Sequence, residues 1–166
     1  NNAGHSSKNR NTENTTLEDV VNVFNSNLLG TVLFTQSVLP SMKKVNQGLI
    51  VNVSSVAGLS GSLIAGLSYG AAKAGVINFT EYLNAELKNT MIKATAIMPG
   101  EVDTPIMNNR PIVPSDDSRA SMAKSADVAE TIVFLASLSN TTSIHAMTIM
   151  PNKLRDTSAE LILPKD

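Results

Sequence analysis

Tyr69 and Lys73 stand four positions apart in Tyr69-Gly70-Ala71-Ala72-Lys73, so on a helix the phenol and the ammonium share one face. A free tyrosine ionises near ~10, too high for efficient proton exchange at neutral pH. A cation held beside it favours the phenolate and lowers that value. The small residues between them let a flat cofactor approach the helix. Such a pair also arises by chance on solvated helices, so its weight depends on its surroundings. Ser55, 14 positions earlier, closes the segment Asn52-Val53-Ser54-Ser55. A hydroxyl there can donate to a substrate oxygen while the tyrosine gives or takes the proton. Alone, Ser-Ser after a strand reads first as a turn or a helix cap.

These groups need elements to hold them. Leu49 to Ser54 is a short aliphatic run of the kind that suits a strand covered on both faces, so its last hydroxyls emerge at the carboxyl edge, where parallel sheets bind ligands. From Tyr69 to about Lys88, Ala72, Val76, Phe79, Leu83 and Leu87 recur at helical spacing. Residues 1–15 read as a polar loop. Thr16-Leu17-Glu18-Asp19 then resembles a helix start, with a helix expected to run to Pro40 and to carry more than one apolar face. A second strand is expected over Ile92–Met98, stopped by Pro99-Gly100. An irregular stretch over 101–123 follows, then a helix capped by Ser125 or Asp127, a strand over Ile144–Met150 and a mobile tail from about residue 154. Helix and strand alternate as in parallel α/β architecture, with three strands.

The 166-residue chain is 42% hydrophobic and 16% charged, as in an ordinary globular domain, and its net charge of -1 offers no basic field for a nucleic acid. No apolar run approaches the roughly 20 residues needed to cross a bilayer. Cysteine is absent, which excludes disulfides and thiolate chemistry and suits the cytoplasm. His5 and His145 have no partner at ligand spacing, so no metal is expected. Asp116-Asp117 reads as a solvated pair, and four glycosylation sequons, beginning at Asn14, Asn52, Asn78 and Asn140, read as incidental. Met107 and Met122 either line a pocket or make ordinary loop contacts.

Taken in order, five segments resemble the short-chain dehydrogenase/reductase family over most of the chain: Asn1-Asn2-Ala3-Gly4, the Phe24–Gly30 segment with Asn27, Asn52–Ser55, Tyr69–Lys73, and Pro99-Gly100-Glu101-Val102-Asp103-Thr104. The resemblance implies catalytic roles for Asn27, Ser55, Tyr69 and Lys73. It also implies nicotinamide-cofactor contacts from Asn2, Ala3, Gly4, Tyr69, Lys73, Pro99, Gly100, Val102 and Thr104. It further implies NAD or NADP as cofactor, a small carbonyl or alcohol substrate, and a homodimer or homotetramer packed through the two long helices.

The Ser55–Tyr69 interval is one residue longer than the commonest in the family, and Ile149-Met150-Pro151-Asn152 stands where many members carry D-G-G. No glycine-rich phosphate-binding turn follows a strand, and the chain opens without methionine. Residues 1–153 are therefore expected to form the second half of a single Rossmann-type domain, an incomplete doubly wound sheet, within a longer chain. Two rivals stand beside an oxidoreductase. One is a catalytically incompetent fragment that binds partner subunits. The other is a sugar-nucleotide epimerase of the extended family, against which the N-N-A-G and P-G-x-V-x-T segments argue.

Overall fold

The computed structural model describes residues 1–161. Thr16 caps the first helix, accepting from the Asp19 N–H at 3.1 Å while the Asp19 carboxylate accepts from the Thr16 N–H at 3.0 Å. Helix α1 (Leu17–Phe24) passes into a wide π turn (Asn25–Leu29), closed by the Gly30 N–H on the Asn25 carbonyl, and continues as α2 (Gly30–Val45). The helix does not stop at Pro40. Proline removes one N–H, whose acceptor four residues back belongs to solvent-exposed Gln36 and is not sealed in the core, and the helix runs five residues further. It ends where Asn46 turns left-handed at φ 48°.

Strand β1 (Gly48–Val53) leads through a short turn (Val56–Gly58) and a loop into α3 (Leu67–Glu86), and then to β2 (Ile92–Pro99). Val102–Asp103 (β3) and Ala123–Lys124 (β4) form a two-residue parallel pair across the irregular stretch, which also holds the short helix α4 (Asp116–Ala120). Helix α5 (Ser125–Ser137) starts one residue after Lys124, whose N–H donates 2.6 Å to the Asp127 carboxylate. Lys124 is thus the cap residue, and Asp127 is the acceptor inside the first turn. Strand β5 (Ala146–Ile149) completes a three-stranded parallel sheet in the order β1-β2-β5. Asn1 lies along the other edge of β1, donating to the Val51 carbonyl at 2.8 Å and accepting from the Val53 N–H at 2.9 Å.

Central strand β2 is buried along nearly its whole length, as its continuous apolar run predicts for a strand with neighbours on both edges. One face of the sheet is covered by α3, and α1 with the π turn packs on the outside of α3. Ile50, Leu83, Leu87, Ile92 and Ala94 close the lower core, with Leu39, Met42 and Phe79 against it. The segment read as a tail is tied back through Arg155, which pairs with Glu101 at 2.7 Å and with Glu160; residues 162–166 lie outside the described residues. No helix among the described residues is long and apolar enough to cross a membrane. Leu83→Ala is expected to lower the unfolding free energy in urea by about 2–5 kcal/mol through the cavity it leaves. A loss below about 1 kcal/mol would mean that the α3–sheet contact is not the core.

Candidate active site

The ends of β1 and α3 are stitched together. Lys73, 4% exposed, donates from Nζ to the Val53 carbonyl at 2.8 Å. Ser54 reaches the other way, its Oγ donating to the Lys73 carbonyl at 2.7 Å. Gly58 lies against the same turn of helix, where an added Cβ would stand 2.7 Å from the Lys73 backbone carbon. Ser55 is left facing outward. Its Oγ accepts from the Ala57 N–H at 3.2 Å and donates to the Pro99 carbonyl at 3.4 Å. The hydroxyl is therefore both a cap, as the local pattern allows, and part of the cavity wall.

Tyr69 stands above Lys73 on α3, with Nζ 5.5 Å from the ring centroid. The expected lowering of the phenol pKa does not hold in the chain by itself. Burial of the ring raises the value, and this outweighs the opposite pulls of the Ser55 hydroxyl and of the Arg10 and Arg110 guanidinium groups. Lys73 responds to the same burial in the opposite sense, its ammonium pKa falling to about 8. The helix thus holds a protonated phenol over an ammonium that titrates close to neutrality.

Asn27, 1% exposed, sits in the π turn. Turns of this type interrupt the regular ladder and are frequent at functional sites. Its Nδ2 donates to the carbonyls of His5 and Val23, both at 2.8 Å, and its carbonyl accepts from the Thr31 hydroxyl at 3.0 Å. Asn27 Oδ1 is buried without a hydrogen-bond partner among the described residues. Gly4 crosses directly above, so close that a Cβ would stand 2.4 Å from Asn27 Oδ1 and 3.6 Å from Lys73 Nζ. Only glycine allows this crossing.

A cavity of about 480 Å³ opens at the carboxyl ends of β1 and β2. Asn27, Ser55, Tyr69 and Lys73 line it, as do Asn2, Gly4, Pro99, Gly100, Val102 and Thr104; Ala3 is exposed and does not. Met107 lines this cavity, whereas Met122 borders a smaller neighbouring pocket. The polar sequence around Arg10 and Arg110 carries no signal of a site, yet both guanidinium groups reach the cavity. Arg110 is neutralised by Glu101 at 2.7 Å and by Glu160 at 3.2 Å. No cluster of three potential metal-ligating side chains occurs among the described residues.

A family model described as short chain dehydrogenase matches residues 1–112, more than half of the chain. The chain belongs to the short-chain dehydrogenase family. A 3-oxoacyl-[acyl-carrier-protein] reductase from Thermotoga maritima is 38% identical over 125 residues, covering 72% of this chain and 50% of the relative. A 7alpha-hydroxysteroid dehydrogenase from Bacteroides fragilis is 37% identical over 145 residues, covering 82% of this chain and 56% of the relative. The chain thus spans about half the length of the curated relatives it matches. Among solved structures, the closed form of serine dehydrogenase complexed with NADP+ superposes with a TM-score of 0.82 at 28% identity, over 99% of this chain and 67% of that one. ElxO with NADP bound gives 0.78 at 32%, over 90% and 63%. The α/β fold with its parallel sheet is that of these solved neighbours.

Because the folded ammonium of Lys73 releases its proton near 8 and the unfolded one near 10.5, the unfolded chain binds more protons between those values, and stability rises with pH across that window. Below pH 8 the full cost of burying the charge is present. Carbon-13 NMR of the Lys73 ε-carbon is expected to titrate at about 8. Lys73→Met is expected to abolish the rise of stability with pH across this window. A midpoint at the ordinary 10.5 would show that solvent reaches the ammonium.

Proposed function

We propose that the protein carrying this chain is an NAD(P)-dependent oxidoreductase that interconverts a carbonyl and a secondary alcohol, with Tyr69 as the general acid and base. The observation that carries this reading is the convergence of Tyr69, Lys73, Ser55 and Asn27 on one cavity at the carboxyl edge of the sheet. The relatives support it: two are named as a reductase and a dehydrogenase, and solved neighbours are titled with NADP+, NADP or NAD bound. The proposal covers both cofactor forms.

The residues present fit the nicotinamide end of such a cofactor. Lys73 spends one ammonium hydrogen on Val53, leaving donors for ribose hydroxyls, and Gly4 keeps the cavity floor open beside it. Asn2, Pro99, Gly100, Val102 and Thr104 complete that wall. When bound, the nicotinamide supplies or accepts the hydride. Tyr69, kept protonated by burial, gives its proton to the carbonyl oxygen in reduction; in oxidation its phenolate form takes the proton of the alcohol. Ser55 donates to the same oxygen and orients it. The Lys73 ammonium offsets the negative charge left on the phenolate, and the Asn27 carbonyl holds a water that returns protons to Lys73.

A second reading has its own observation. Leu33, Phe34 and Val38 on α2 and Leu67 and Tyr82 on α3 are exposed, with Phe34 67% accessible, so the two helices present apolar faces suited to a subunit contact. We propose a homodimer or homotetramer built on them. The chain holds no glycine-rich turn opening a helix toward a pyrophosphate. On the second reading it binds partners without turnover.

Purified alone, this chain is expected to show no saturable binding at micromolar NADPH or NADH by fluorescence; tight binding would remove the second reading. In the protein carrying this chain, Tyr69→Phe is expected to reduce turnover by about 100-fold or more while nucleotide affinity stays within about twofold. Near-normal turnover in that variant would refute the proton-transfer role.

A further inference from the structure

Arg10 has a setting that neither the fold nor the proton chemistry accounts for. It lines the cavity together with Lys73, Arg110 and Glu101, three cations against one carboxylate in a chain of net charge -1. Glu101 is already held by Arg110 and Arg155, both at 2.7 Å, and Arg110 also has Glu160. Arg10 has no carboxylate partner among the described residues.

Its guanidinium is held in place by uncharged acceptors. Nη1 donates to the carbonyls of Ile64, at 3.2 Å, and Ala65; Nη2 donates to Ser6 Oγ at 3.1 Å and to the Asn109 carbonyl at 3.3 Å. Nε is buried without an acceptor. The loop is shaped around the side chain: Gly66 adopts φ +87°, and a Cβ there would stand 2.6 Å from Arg10 Cδ. The Leu67 N–H donates to the Arg10 carbonyl at 3.0 Å, fixing the backbone as well. Carbonyl dipoles orient a guanidinium but do not neutralise it, and burial already pulls its pKa down to about 10. The cation also acts on the Tyr69 phenol across the cavity. It is a planar, uncompensated cation lining the same cavity as the proposed reacting hydroxyl.

We infer that the counterion of Arg10 is the substrate's own carboxylate, and that the substrate is a short oxo acid or the corresponding hydroxy acid. The inference rests on the oxidoreductase reading for its chemistry and on the unpaired guanidinium for its specificity. The longer bonds to Ile64 and Asn109 are those that a carboxylate displaces or shares, since a charged acceptor makes the stronger bond. With the carboxylate at Arg10 and the carbonyl oxygen at Tyr69 and Ser55, the substrate is held at both ends. Hydride from the reduced nicotinamide reaches the carbonyl carbon, the Tyr69 proton reaches the oxygen, and the hydroxy acid leaves with its carboxylate unchanged.

The test compares acetoacetate and levulinate with their methyl esters as substrates of the protein carrying this chain, with saturating NADPH or NADH. The acids are expected to exceed the esters in kcat/KM by about tenfold or more, Arg10→Gln to cut that ratio by about tenfold, and Arg10→Lys to retain part of it. The ratio isolates anion recognition from loop support, because loss of the loop contacts would lower acid and ester alike. The thermal shift produced by acetoacetate, against that of the ester, is measured in parallel on the same proteins. Equal turnover of acids and esters, or a ratio untouched by Arg10→Gln, would overturn the inference and leave the oxidoreductase reading standing. Absence of any turnover together with an acetoacetate-specific, Arg10-dependent shift would retain the anion site and refute that reading. Absence of both would refute both.

Discussion

The carboxyl end of β1 and the first turns of α3 are joined by two side chains reaching in opposite directions, Lys73 to the Val53 carbonyl and Ser54 to the Lys73 carbonyl. A lysine ammonium removed from water is costly unless hydrogen-bonded, and the last carbonyls of a parallel strand are natural acceptors for it. Once this double tie is made, little else in the site is free to vary. Ser55 is one residue beyond the tie and must face the cavity, and Tyr69 is one helical turn before it. Gly4 must be small, because it crosses between the π turn and the ammonium. Separate stretches of the chain therefore take their positions from one pair of hydrogen bonds.

The electrostatic character of the cavity follows from a different balance. Burial opposes charge on both members of the helical pair, raising the phenol and lowering the ammonium, so that in the chain alone the pair is closer to neutral than a Tyr–Lys contact in water would be. Charge comes instead from Arg10, which reaches in from a loop, since Arg110 is paired with Glu101 and Glu160. Glu101 is pushed up by burial, yet hydrogen bonds from Arg155 and Arg110 hold its carboxyl below the usual range. Through Glu160, the same network ties the last described turn of the chain to the segment that follows Pro99-Gly100.

Much of this was legible in the residues themselves. The strand at Leu49 to Ser54, the start of α1 at Thr16, the helix bearing Tyr69 and Lys73 and the buried strand before Pro99 are all marked by local pattern, because periodicity and caps are properties of neighbouring residues. What escaped depends on distant ones. The phenol pKa is not legible from the lysine four residues away, because burial is a property of the whole cavity. Arg10 lies in a polar run of Asn, Ser and Thr, and only the fold brings it to the loop around Gly66 and the turn near Asn109. Pro40 looked like a terminator because the exposure of Gln36, which makes its missing bond harmless, is set by tertiary packing.

The register of the sheet also bears on how the chain reaches this state. Gly48 pairs with Ile92 and Ala96 with Ala146, residues 44 and 50 positions apart, so neither parallel pairing can be made by a local turn. Each requires a long loop to close before any ladder bond rewards it, and β2 takes part in both closures. The capture of this one eight-residue strand therefore completes both long-range pairings at once.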